Sequence, residues 1–373
     1  MDALNSRKRK MTSEFPLNDL NQDLLERVLS CLPTSSFLRL TSVCKRWKSV
    51  SHSSSFKLAC SQIPSRRPWF LMVPSSPHHH NHPIIFDSAE SNWKKLNKFY
   101  QIPVAAAAGL LCFLRPDSGF TVTNPVTASS REIDPPPSTA MLAVAMAAEG
   151  KIFKLVLLSG ELPNLRFSEY SSVTQRWGEE ASLIRNGVEI HTPYFLTKCG
   201  NVVTTQIQRS ASKRYASLLI GGILYFLSSG GTVVACDLER KSFFEYPRLL
   251  PAMSEYSIDL VEVEGRMCVV LLSEFLETAS LRVWGWDEGG RCWEQRAAMP
   301  PWMSHGLYGK KADVNCAGGG DGKVLVCVNS GEICRYVMCD LRENEWEELP
   351  ECSVDGGRRE FVSAFSFEPR IEV

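Results

Sequence analysis

From Leu20 the apolar positions fall at Leu20, Leu24, Leu25, Val28, Leu29 and Leu32, a three- and four-residue rhythm that predicts a helix, with Asn21, Gln22, Asp23, Glu26, Arg27 and Ser30 on its other side. Asp19 followed by Gln22 reads as a capping pair, and Pro33 stops the helix. A second helix is expected from a Thr34 or Ser35 cap through Phe37, Leu38 and Leu40 into the segment VCKRWKSV. There Val43, Trp47 and Val50 recur at intervals of four and three, which places them on one face and turns Lys45, Arg46 and Lys48 to water. About 45 residues of short helix bury little surface, and a core of this size rarely stabilises itself alone, so part of the leucine stripe is expected to face another protein.

Beyond residue 66 helical periodicity nearly vanishes. Short apolar or alternating runs broken by Gly, Pro, Asn and Ser predict strands and turns. One spacing returns along this region: an apolar residue, then Asp or Ser, then an aromatic six positions after the polar one. It occurs at Phe86-Asp87 with Trp93, Tyr170-Ser171 with Trp177, Cys236-Asp237 with Phe243, Trp286-Asp287 with Trp293, and Cys339-Asp340 with Trp346. A degenerate copy pairs Thr123-Asn124 with Ser130. The polar anchors at 87, 124, 171, 237, 287 and 340 are separated by 37, 47, 66, 50 and 53 residues, mostly near the length of a four-stranded propeller blade. A short polar side chain at a strand end bonds its own backbone to begin a turn, and the returning strand sets a large ring against the next sheet.

Apolar runs preceded by glycine, at Gly221–Leu227, Gly265–Leu272 and Gly322–Val328, read as inner strands covered on both faces. Ring closure needs strands from both ends of the region in one blade, and Pro68–Val73 and Phe361–Phe367 are the candidates. The expected architecture is therefore mainly β, a propeller of six blades behind a small helical domain. The 66-residue interval leaves room for a seventh blade.

Composition narrows the function. Lys+Arg and Asp+Glu are 41 each; residues 1–62 hold ten basic and five acidic residues, leaving 31 and 36 for the rest. That asymmetry is too weak for a long nucleic-acid track, so no nucleic-acid partner is expected. The polar start MDALNSRKRKM is not a signal segment, and thirteen cysteines without a CxxC pair read as free thiols in a reducing compartment. The longest apolar runs are about half the roughly 20 residues of a membrane span, so no membrane partner is expected. RKRK at Arg7–Lys10 reads either as an import signal or as a solvated basic tail.

The string DLLERVLSCLP followed by VCKRW resembles an F-box, the module by which substrate receptors attach to a ubiquitin ligase. Asn21 stands where that family usually has proline, whose ring would rigidify the entry to the helix, so its absence is expected to loosen adaptor docking without removing the apolar contacts. The resemblance implies that Leu20, Leu24, Leu25, Val28, Leu29, Leu32, Pro33, Val43, Cys44 and Trp47 include the surface that meets a Skp-type adaptor and, through it, a cullin. The alternative is that these residues only form the module's own core. The body, with its Gly221-Gly222 doublet and recurrent aromatic, resembles degenerate kelch repeats. The whole is similar to plant F-box/kelch-repeat proteins of the Hawaiian Skirt and Unusual Floral Organs type, which share the FEPR string found here at Phe367–Arg370.

These readings give a basic tail over 1–15, an F-box domain over 16–62 and a kelch-like propeller over 63–373. The function they imply is that of a non-catalytic substrate receptor of an SCF-type ligase in the nucleus, the cytoplasm or both, binding an unidentified target protein. Trp302 and His305 are the candidate target contacts. No cofactor is expected. The chain holds no phosphate loop, GxSxG or HExxH motif, and the histidines of PHHHNHP at Pro77–Pro83 read as a polar loop. The alternatives are a propeller scaffold outside ubiquitin transfer and a metal-dependent propeller oxidase.

Overall fold

A computed structural model describes residues 20–74, 83–96, 102–136, 141–186, 217–228, 231–250, 256–352 and 361–373. The basic tail, RKRK and most of the histidine run lie outside them. The chain divides into two compact units, Met1–Pro64 and Ser65–Ile371, with Val373 joining the second.

The first unit holds four short helices: α1 (Gln22–Ser30), α2 (Thr34–Leu40), α3 (Lys45–Val50) and α4 (Ser54–Ser61). Asn21 itself is the N-cap of α1, its side chain accepting from the Asp23 N–H at 3.3 Å. Asp19, expected as the cap, lies outside the described residues. Asparagine is among the strongest N-cap residues, and its side chain gives the helix start an acceptor that proline lacks. Pro33 is the N-cap of α2, in place of the expected Thr34 or Ser35 cap. Cys44 adopts an extended conformation (φ −154°, ψ 163°) and caps α3, its Sγ 3.4 Å from the Trp47 N–H. The extended Cys44 ends any run into α3 from α2, so Val43 sits in the preceding turn and not on the face of Val50. Arg46 also departs from its expected solvated role, because its guanidinium donates to the Leu20 carbonyl.

The second unit is a six-bladed propeller of four-stranded antiparallel blades. Blade 1 runs from the axis outwards as Phe361–Phe367, Trp69–Pro74, Ile84–Asp87 and Asn92–Lys95. Blade 2 is Ile102–Ala107, Leu110–Leu114, Phe120–Thr123 and Ser130–Ile133; blade 3 is Met141–Glu149, Ile152–Glu161, Asn164–Ser171 and Arg176–Trp177. Blade 4 is Leu218–Ile220, Ile223–Leu227, Val233–Asp237 and Ser242–Glu245, with Ile184–Arg185 added in parallel at its outer edge. Blade 5 is Tyr256–Val263, Arg266–Phe275, Thr278–Asp287 and Cys292–Ala298; blade 6 is Asp313–Gly318, Lys323–Asn329, Cys334–Asp340 and Glu345–Glu348. Blade 1 closes the ring as the sequence predicts, with Trp69 opposite Phe367 and Val73 opposite Ser363.

All six anchors hold the predicted hairpin. The residue before each anchor lies directly opposite the residue six positions after it, from Phe86 with Trp93 to Cys339 with Trp346, and Thr123 with Ser130 in the degenerate copy. Each anchor side chain accepts a backbone N–H two or three residues on: Asp87 from Ala89 at 2.9 Å, Asn124 from Val126 at 2.8 Å, Ser171 from Val173 at 3.3 Å, Asp237 from Arg240 at 2.9 Å, Asp287 from Gly290, and Asp340 from Arg342 at 3.0 Å. The residue four positions after every anchor is left-handed: Ser91, Ala128, Gln175, Lys241, Arg291 and Asn344 all have φ between 49° and 59°.

The ring residue then ties neighbouring blades. The indole N–H donates to a carbonyl of the preceding blade's outer end: Trp93 to Pro350 at 2.8 Å, Trp177 to Asp134 at 3.0 Å and Trp293 to Pro247 at 2.7 Å.

The glycine-led apolar runs are inner strands, the second of their blades. Their leading turns are left-handed, as at Gly265 (φ 75°). The second strand is covered by sheets on both faces and so reads as continuous apolar sequence, whereas innermost strands line a central cavity and include polar residues such as Asp259 and Glu262.

Candidate functional site

The helical unit sorts the ten predicted adaptor residues into two faces. Leu25 and Leu29, 1% and 2% exposed, point into a core shared with Phe37, Val50, Phe56 and Cys60. There the Phe37 and Phe56 rings stack at 4.7 Å. Leu24, Val28 and Val43 are 54%, 55% and 65% exposed. At about 100° per residue, positions 24 and 28 form one stripe and 25 and 29 the next, and a leucine-rich helix with both reads as a single broad face until its packing is known. Leu20, Leu32 and Trp47 are half-buried, while Pro33 and Cys44 are exposed. Two further apolar side chains, Leu38 and Leu58, are uncovered on α2 and α4; the sequence marks Leu38 only as part of its helix and does not single out Leu58. Periodicity gave no signal for α4 beyond the pair Phe56 and Cys60.

A buried carboxylate fixes how α1 meets α4. Glu26 accepts from Ser55 Oγ at 2.6 Å and from Gln22 Nε2 at 2.9 Å. Burial pushes its pKa up, but the hydrogen bonds from Ser55, Gln22 and Ser53 outweigh that and hold it below the usual glutamate range. The orientation of the exposed stripe on α1 therefore depends on a polar contact as well as on leucines.

On the propeller, Trp302 lies on α5 (Pro301–Ser304) and is 78% exposed; His305 is exposed in the one-turn 3-10 helix that follows. Met303 and Leu307 anchor this connection in the core between blades 5 and 6. The Gly309 N–H donates to the Glu274 carboxylate at 3.1 Å, and Arg335 donates to the Met303 carbonyl at 2.8 Å. The first of these bonds ties the connection to the turn Phe275–Thr278 of blade 5, whose Phe275 and Leu276 are 74% and 79% exposed. Sequence reasoning passed over that pair. The available signal was two bulky apolar residues at a hairpin tip where small polar ones are usual.

Arg335 forms a two-pronged ion pair with Glu348, both contacts at 2.8 Å, which holds the Glu348 carboxyl below its usual range. Cys236, Cys268 and Cys339 are buried thiols pushed up to about 12, 11 and 12 chiefly by desolvation, so they are not poised as nucleophiles. Among the described residues no group of three or more His, Cys, Asp or Glu gathers as metal ligands, and no helix is long and apolar enough to cross a membrane.

Comparison with known proteins matches residues 17–59 to the F-box domain and residues 95–300 to the KIB1-4 beta-propeller. F-box only protein 13 of Arabidopsis thaliana is 49% identical, the alignment covering 96% of this chain and 86% of that protein. An F-box/kelch-repeat protein of the same plant is 26% identical over 95% of this chain and 89% of its own length. ABERRANT PANICLE ORGANIZATION 1 of Oryza sativa subsp. indica is 25% identical over 94% and 88%. With an F-box match on the four-helix unit and a KIB1-4 match on the propeller, the chain belongs to the plant F-box proteins that join these two domains.

Proposed function

We propose that this chain is the substrate-recognition subunit of an SCF-type ubiquitin ligase, with an F-box domain over 16–62 that binds a Skp-type adaptor and, through it, a cullin, and a propeller over 63–373 that binds a target protein. The observation that carries the reading is the exposure of Leu24 and Val28 on one stripe of α1, together with Val43 in the turn before α3, on a unit that matches the F-box domain. Three aliphatic side chains left in water on so small a module cost solvation free energy that a partner would recover. Pro33, Cys44, Leu20, Leu32 and Trp47 complete the surface at its edges. Leu25 and Leu29 hold its shape from beneath. The protein itself performs no chemistry. It raises the local concentration of target lysines near a thioester carried by other subunits. The kinship with an F-box/kelch-repeat protein and with ABERRANT PANICLE ORGANIZATION 1 supports reading it as one of the Hawaiian Skirt and Unusual Floral Organs group. Its proposed place of action is the nucleus, the cytoplasm or both.

The test is co-purification of a plant Skp-type adaptor with the full chain. Leu24→Asp with Val28→Asp is expected to abolish recovery of the adaptor while leaving the melting temperature within a few degrees, because both side chains face water. Undiminished adaptor recovery would refute the assignment. Leu25→Asp is unsuitable for the purpose, since it places a charge in the helical core and unfolds the module.

A further inference from the structure

We propose that the rim formed by the Phe275–Thr278 turn and the Pro301–Tyr308 connection binds a linear segment of the target protein that carries a bulky apolar residue with a lysine or arginine close by in sequence. The inference rests on the receptor reading above and adds the chemical class of what is received. Four large apolar side chains, Trp302, Phe275, Leu276 and Tyr308, are 78%, 74%, 79% and 41% exposed here. They are displayed on an anchored support. Met303 and Leu307 are buried beneath them, the Gly309 N–H bonds Glu274 at 3.1 Å, and Arg335 bonds the Met303 carbonyl at 2.8 Å. Leu276 and Glu277 are both left-handed, with φ of 47° and 61°. That is the backbone of a two-residue hairpin turn, where small polar residues are usual and a leucine is costly, so the turn displays Leu276 at its tip.

Charge selects the partner. Glu274 and Glu277 flank the apolar turn. A depression of about 200 Å³ beside the connection is lined by Glu332, Glu348 and Glu351 with the single cation Arg335. Lys310 reaches from the connection to Glu332 at 2.7 Å, and Arg335 is held by Glu348 at 2.8 Å; these two pairs offset one another, which leaves Glu274, Glu277 and Glu351 against Lys311. Five carboxylates against three cations leave the rim acidic. An acidic rim repels phosphate, which argues against nucleic acid and anionic lipid, and attracts a basic segment. A depression of this size accepts one side chain, which suits an extended peptide and not a folded face. The apolar residue of that segment sits on Trp302 and Phe275, and its cation enters the glutamate-lined depression.

The experiment uses the full chain with its adaptor and two pools of short fluorescein-labelled peptides, one pairing leucine or phenylalanine with nearby lysine or arginine, the other with glutamate at the basic positions. Anisotropy is expected to show binding of the basic pool alone, weakening as salt rises. Trp302→Ala, and separately Phe275→Ser with Leu276→Ser, are expected to weaken it at least about tenfold. Glu332→Gln with Glu351→Gln is expected to reduce the preference for the basic pool, with the melting temperature unchanged. Equal binding of both pools, no binding of the basic pool, or unchanged affinity in the Trp302 variant overturns the proposal. Adaptor recovery is scored in the same preparation. Peptide binding without adaptor sinks the ligase reading and leaves this one standing, whereas adaptor without peptide does the reverse.

Discussion

Replacing Asn124 by aspartate should destabilise the propeller far more than the exchange of one atom suggests. Asn124 is fully buried and works in both directions. Its Oδ1 accepts from Val126 at 2.8 Å and Thr127 at 3.2 Å, as any anchor does, while its Nδ2 donates to the backbone oxygens of Arg370 and Val373, both at 2.8 Å. Aspartate keeps the turn but sets a carboxylate oxygen against two backbone oxygens. Two donated bonds at about 1 kcal/mol each are lost, and the uncompensated buried charge raises the total to about 3–5 kcal/mol. That is a large share of a domain stability of roughly 5–15 kcal/mol. The carboxyl relieves the conflict by keeping its proton, so its pKa in the folded state rises above the unfolded value. Between the two values the folded state binds a proton that the unfolded state lacks, and stability falls by about 1.4 kcal/mol per unit of rising pH. Guanidinium unfolding of the full chain is the assay, followed by tryptophan fluorescence, since eight of the nine tryptophans lie beyond residue 65. The midpoint of Asn124→Asp is expected well below that of the parent at pH 8, with the gap narrowing towards pH 5. Coincident midpoints at pH 8, or a gap independent of pH, would refute the reasoning.

Two further outcomes follow from the same kind of accounting. Trp93→Phe keeps a ring against Phe86 and Tyr336 but removes the N–H given to Pro350, so it should cost about 1–2 kcal/mol in the same unfolding assay; Trp346→Phe should cost less, because its N–H reaches only Asn344 of its own blade, at 3.4 Å. The helical unit should lose stability on acidification below the ordinary glutamate range, because the folded-state pKa of Glu26 is depressed and its contribution, present above the unfolded pKa, is lost as pH falls through the folded one; circular dichroism of thermal unfolding should show this acid sensitivity in the parent and a flatter pH profile in Glu26→Gln.

The hairpins were legible because each needs two residue types at a fixed spacing, and a periodic demand of that kind survives in a diverged sequence. The left-handed residue four positions after each anchor was not legible. Ser91, Ala128, Gln175, Lys241, Arg291 and Asn344 share a backbone conformation and no side-chain chemistry. The closing strand was found because Phe361–Phe367 has the strand pattern and the topology demands a partner for Pro68–Val73. In the helical unit, the existence of α1 was legible and its orientation was not. Leu24 and Leu25 differ by one position and by a whole role, and only the packing of Phe37 and Phe56 decides which is inside. The FEPR string, noted from the sequence only as a resemblance, has a local purpose. Glu368 receives the Arg66 N–H and pairs with Arg370, whose carbonyl meets Asn124. Gly109 leaves room for it, since a Cβ there would stand 2.9 Å from the Glu368 carbonyl.

The shared sheet in which Phe361–Phe367 lies against Trp69–Pro74 sets an order of events during synthesis. Trp69–Pro74 is made long before Phe361–Phe367, the strand that seals the ring. A product cut short before Phe361 would carry a complete helical head in front of an unsealed ring, with Trp69–Pro74 exposed along one edge as a template for aggregation. Closure of the ring thus waits for Phe361–Phe367, and a truncation that removes this strand would be expected to do more harm than the loss of seven residues implies.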